Sequence, residues 1–171
     1  MTNTESEGRG PDLGMLAGRL MRALQEELFE RLAEEGHPDV RPRHGTVLAF
    51  LDPEGLRATE LSARSGQHKQ IVGTIVDELV ALGYVRREPD PDDRRAKRIV
   101  PTEHGLDEIA KARAILAGIE DRHRRALGDG AFTAFKDAFQ RVARDQSAWR
   151  AANAADADAA DAADGGDRRA R

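Results

Sequence analysis

Residues 61–105, LSARSGQHKQIVGTIVDELVALGYVRREPDPDDRRAKRIVPTEHG, decide the fold. A short helical run over residues 58–64 stops at Ser65-Gly66. Ile71, Val72, Ile75, Leu79 and Leu82 then recur at helical spacing as far as Gly83. Two helices joined through a glycine turn make a helix-turn-helix pattern, which plain helical hairpins share. Ser62, four residues before Gly66, is small enough to let the helices approach closely, and Leu61, Val72 and Ile75 can bury between them. The strand-like runs YVRRE (84–88) and KRIV (97–100) bracket PDPDDRRA (89–96). A β-hairpin with a charged tip, placed directly after the second helix, reads as the wing of a winged helix. Its arginines stand where they can reach a minor groove or phosphates.

Upstream, Leu13, Leu16, Leu20, Leu24, Leu28 and Leu32 recur at three- and four-residue steps, which predicts a long first helix stopping near Gly36. His37-Pro38 and Pro42 mark a linker, a short second helix is expected over 43–50, and DPEG (52–55) reads as a turn. Downstream, Thr102 caps a fifth helix with Leu106, Ile109, Leu116 and Ile119 on one face, ending at Gly128-Asp129-Gly130. The last helix carries Phe132, Phe135, Phe139, Val142, Gln146 and Trp149 in a seam holding four of the chain's seven aromatic residues. AANAADADAADAADGGDRRAR (151–171) has too few large apolar groups to offset ordering entropy and is expected to be disordered. The expected class is mainly α with a small β-hairpin wing and about six helices. Residues 1–11 form a flexible start and 12–150 a single domain, in which 43–101 is the winged helix and 12–36 and 102–150 are dimerisation helices.

Composition sets limits on function. With 34% charged and 4% aromatic residues among 171, the monomer has little to build a core from, so the aromatic seam reads as a surface for a second copy. The net charge is −4, yet residues 57–98 hold nine Lys or Arg against seven Asp or Glu. That local excess permits binding to phosphates without demonstrating it. The absence of cysteine excludes disulfides, thiolate metal sites and thiol redox sensing. MTNTESEGRGPD is unlike a signal peptide, and no apolar run approaches the ~20 residues needed to span a bilayer, so a cytoplasmic protein with no membrane partner is expected. His37, His44, His68, His104 and His123 lack metal-ligand spacing, and Ser62, Ser65 and Asp77 lie in no catalytic motif. Neither enzyme activity nor a cofactor or metal is expected.

From Leu61 to Gly105 the order of helix, turn, helix, hairpin and Thr-Glu-x-Gly helix start resembles the MarR family of bacterial transcriptional regulators, and the flanking helices extend the likeness to everything but the tail. The resemblance implies a symmetric dimer held by its first and last helices, with Leu16, Leu20, Leu116, Ile119, Phe132, Phe135, Phe139, Val142 and Trp149 at the interface. It implies double-stranded DNA as partner, with Lys69, Gln70, Gly73 and Thr74 facing bases and phosphates in the major groove. Arg64, Arg94 and Lys97 would add phosphate contacts, and Asp93 would orient Arg95 towards the minor groove. Thr74 departs from the arginine common in the family, and Gly73 from a side chain, so the operator preference is not transferable. A small-molecule effector would bind between the second helix and the first and fifth, beside His44 and Phe50. The function implied is a repressor released from a palindromic operator. A winged helix that binds another protein, without sequence-specific DNA binding, is the alternative.

Overall fold

The computed structural model describes residues 10–93 and 95–167, with side chains described as far as Asn153. Arg94, most of the expected flexible start and the last four residues of the expected disordered tail lie outside the described residues. Among the described residues, six helices and three strands run α1 (Leu13–Glu34), α2 (Pro42–Leu48), β1 (Leu56–Arg57), α3 (Ala58–Ser65), α4 (Lys69–Ala81), β2 (Val85–Pro89), β3 (Lys97–Pro101), α5 (Glu103–Leu127) and α6 (Asp129–Asp167). This is the expected mainly helical winged helix-turn-helix. The described residues fall into two compact units divided between Gly118 and Ile119, inside α5, where the sequence suggests one domain.

In the first unit, the helix starts follow local chemistry. Asp12 accepts the Met15 amide at 2.8 Å and caps α1, while Pro42 opens α2 at a position needing no donor. Thr102 Oγ1 accepts the Gly105 amide at 3.1 Å at the start of α5, and donates to the Gly83 carbonyl at 2.6 Å. Gly105 has to be glycine, because a Cβ there would collide with the Tyr84 carbonyl. The start of α5 is therefore pressed against the entry to β2.

The sheet has the order β1-β3-β2, antiparallel throughout. The two-residue β1 pairs Leu56 with Ile99 and Arg57 with Arg98, and was not evident from a run so short. The hairpin register, Val85 opposite Pro101 to Pro89 opposite Lys97, turns Val85 and Ile99 inward. The core gathers Val47, Leu48, Leu61, Val72, Leu79 and Tyr84 with their neighbours from α2 to β3 and Ile109 of α5. Two of the expected core residues of this helix are exceptions: Ile71 is 45% exposed, and Leu82, at its C-terminal cap, is exposed too.

Buried polar groups brace this core. His44 is buried; its Nδ1 accepts the Arg41 amide at 3.1 Å, so Nε2 carries the proton and donates to Glu78 at 2.9 Å. Arg43 reaches the same carboxylate oxygen at 2.8 Å, and the His44 bond leads in holding the Glu78 carboxyl below its ordinary range. Buried His37 links Tyr84 (3.2 Å) to Asp107 (3.0 Å), which Lys111 also binds. Burial outweighs the Asp107 bond and pushes the His37 pKa down.

The second unit holds the end of α5 and α6. Lys136 donates to both Glu120 oxygens at 2.9 and 2.8 Å, tying the two helices. Ile119 and Phe132 are buried, and Arg124 lies 5.4 Å from the Phe132 ring centre. From residue 151 the Ala/Asp run continues α6 to Asp167, where composition suggests disorder. Alanine has the lowest intrinsic helix cost, and extending an existing helix requires no new nucleus.

Candidate nucleic-acid interface

Gly66, at φ 68°, ends α3 in the left-handed conformation that glycine adopts without strain. Ser62 donates to the Gln67 carbonyl at 2.6 Å and Ser65 to that of Leu61 at 2.6 Å, which closes the turn. Leu61, Val72, Ile75, Val76 and Leu79 are buried, fixing α4 against α3 and leaving the other face of α4 outside. On that face His68, Lys69, Gln70, Ile71 and Thr74 are exposed, and Gly73 is half-buried. Lys69 and Gln70 occupy the first turn of α4, the end from which such helices contact base edges. The Thr74 hydroxyl donates to the Gln70 carbonyl at 3.2 Å within the helix.

The wing is held by a carboxylate that the sequence did not single out. Asp90 is 4% exposed and accepts from the Asp92 amide at 2.9 Å and the Asp93 amide at 3.2 Å. Its other oxygen takes Arg57 Nε at 2.7 Å, binding the wing tip to β1. The Arg57 bond leads in holding the Asp90 carboxyl far below the ordinary range. Asp93 accepts the backbone amide of Arg95 at 3.0 Å. It shapes the turn through the main chain. The Pro-Asp-Pro spacing around Asp90 was the available signal, since a short carboxylate before a turn caps amides two residues on.

Arg95 and Lys97 are exposed at the end of the wing. Arg64 lies 4.0 Å from Asp52, an exposed and loose pair. Arg86 and Arg87 are engaged by Glu88 and Asp77. The structure thus presents an exposed helix face and follows it with a hairpin braced by Asp90 and Arg57. The missed members of the set are Ile71, Arg57 and Asp90.

Residues 39–96 match the model of the MarR family. That stretch, from the linker before α2 to the wing, resembles the winged helix of the MarR family. The solved structures similar to this chain include CouR from Rhodococcus jostii RHA1 bound to p-coumaroyl-CoA, at 29% identity and TM-score 0.62, over 77% of this chain and 92% of that one. CouR bound to a 23-mer DNA duplex, described as a transcriptional repressor, matches at 25% identity and TM-score 0.64 over the same shares. The S. aureus MepR–DNA complex has TM-score 0.67 over 79% of this chain and 98% of that one; its 16% identity speaks for the shared MarR fold alone. No curated protein sequence matches the chain.

The interface residues suggested for a second copy divide in two. Leu16, Leu20, Leu116, Phe135, Phe139, Val142 and Trp149 are exposed, Trp149 most at 63%. Ile119 and Phe132 are buried within the chain. A cavity of about 220 Å³ lies between α1, α2 and α5, lined by Leu28, Phe29, Leu48, Glu108, Ile109 and Arg113 among others. This is where an effector pocket was expected, but with different walls. His44 is turned to Glu78, and Phe50 is exposed beyond α2; neither lines the cavity. Among the described residues no helix is long and apolar enough to cross a membrane.

Proposed function

We propose that the chain is a homodimeric transcriptional regulator that represses from a palindromic operator and is released by a small molecule. The observation that carries this reading is the exposed start of α4, Lys69 to Thr74, standing on a fully buried apolar face and followed by a wing fixed through Asp90 and Arg57. In this reading Lys69 and Gln70 read base edges, and Ile71 touches thymine methyl groups, the apolar contact of the major groove. Gly73 lets the backbone approach, and Thr74 adds a hydroxyl. Arg95 reaches the minor groove, and Arg64, Arg94 and Lys97 meet phosphates. The exposed apolar residues of α1 and α6 support the dimer, since such stripes on two long helices are costly in water.

Two copies related by a two-fold axis would place their α4 helices in successive major grooves roughly 34 Å apart. An effector in the cavity between α1, α2 and α5 that favours another spacing would weaken DNA binding, by about 5- to 150-fold for typical coupling energies. Selection of bound sequences from a random duplex pool tests the reading. Enriched inverted repeats with half-sites one helical turn apart are the expected result. A chain that enriches nothing and shifts no duplex at low salt is not this regulator, and the winged helix would then serve a protein partner.

A further inference from the structure

The cavity between α1, α2 and α5 has an unusual wall. Glu108, on α5, is 2% exposed, and its Oε2 has no hydrogen-bond partner among the described residues. Its neighbours in the lining are Leu28 and Phe29 of α1, Leu48 of α2, and Ile109 of α5. Gly45 keeps the space open, because a Cβ there would come within 3.2 Å of the Phe29 ring. Burial alone pushes the Glu108 carboxyl up to about 7. Of the residues facing the cavity from α1 and α2, none is charged; Arg113, exposed and further along α5, is the other charged residue in the lining. Outside the lining, Tyr84 feels the Glu108 charge.

A buried acceptor without a donor costs free energy that a natural fold seldom leaves unrecovered. Among the described residues, nothing donates to that oxygen, so it does not brace the fold. An apolar enclosure with one unpaired carboxyl is instead the complement of an apolar molecule with one cationic or strongly donating end. We infer that the cavity takes a hydrophobic amine whose ammonium group pairs with Glu108 while its apolar body lies against Leu28, Phe29 and Leu48. The inference rests on the effector-gated reading above and adds the ligand's chemistry to it. Pairing with a cation favours the ionised carboxyl, so a proton leaves Glu108 when the amine binds near neutral pH.

Three probes with one skeleton test this: 3-phenylpropylamine, 3-phenylpropanol and 3-phenylpropanoate, titrated calorimetrically into the full chain at pH 7. The amine is expected to bind roughly ten- to a hundredfold more tightly than the alcohol, the range of a charge-assisted hydrogen bond, and the acid more weakly than either. Glu108→Gln should bring amine and alcohol level, and Arg113→Ala should leave the amine's lead in place. Repeating the titration in buffers of different ionisation heat should show proton release for the amine alone. That measurement needs no variant. Equal binding of all three, tightest binding of the acid, or a lead that survives Glu108→Gln would overturn the inference. DNA release is read separately by band shift, so amine binding that leaves the DNA complex intact supports the amine site and sinks the gating.

Discussion

Residues 58–81, which form α3 and α4, and residues 119–153 carry the same helical periodicity of apolar side chains, and the structure treats them in opposite ways. In the first region Leu61, Val72, Ile75, Val76 and Leu79 are buried among themselves and their neighbours. In the second, Phe135, Phe139, Val142 and Trp149 lie outside, and only Ile119 and Phe132 are buried. An apolar stripe says that a helix has a face to cover. Whether a segment of the same chain or another molecule covers it is a matter of what stands opposite.

The largest expected effect comes from opening the buried stripe. Leu61→Ala, at a fully enclosed position, should cost about 3 to 4 kcal/mol in denaturant unfolding. A loss below about 1 kcal/mol would mean that the first region is not the packed one. Gly105→Ala should destabilise comparably, because the Tyr84 carbonyl occupies the space a methyl needs.

Next in size is a polar exception beside the first region, on α5. The Glu108 pKa is raised to about 7, above its ordinary 4.5, so the neutral form stabilises the fold fully below pH 4.5 and this contribution is lost as pH rises through 7. Relative to wild type, Glu108→Gln should therefore gain about 3 kcal/mol at pH 8 and almost nothing at pH 4. An equal gain at both values would show that the carboxyl is not buried as described.

Phe139→Ala probes the outward stripe. Its expected effect is about 2 kcal/mol on dimer dissociation, measured by sedimentation over a dilution series, with helix content kept in the dissociated chain. If the variant instead unfolds without changing the association constant, the two regions behave alike and the contrast fails.

The smallest effect tests the wing. Lys97→Ala should lower the slope of log affinity against log salt by about 0.9, the loss of one phosphate contact. Asp90→Asn should disturb the whole tip, moving the slope by more than one contact. In the unvaried chain, Asp90 ionises more readily when folded than unfolded, so its contribution is present above pH 3.8 and is lost as pH falls.

Much of the fold was legible. The Gly66 turn, the hairpin over 85–101, the Thr102 cap and all six helices follow from spacing and capping rules that act over a few residues. The exposure of Lys69, Gln70 and Thr74 was legible for the same reason, a helix start being a local event, while that of Ile71 was not. Less legible were Asp90 with Arg57 and His44 with Glu78, whose partners stand 33 and 34 residues apart. For the Ala/Asp run, composition reports the lack of a core, while α6 extends through it to Asp167 because a helix already formed is easily lengthened.

By itself, then, the chain's order of residues determined where helices and strands begin and end, since caps, glycines and periodicity act between near neighbours. It also determined which faces are apolar. Only the tertiary structure decided which of those faces are covered, which turned Ile71 outward and Phe132 inward. It alone left Glu108 in an apolar cavity without a partner, because burial depends on segments brought together from distant positions along the chain.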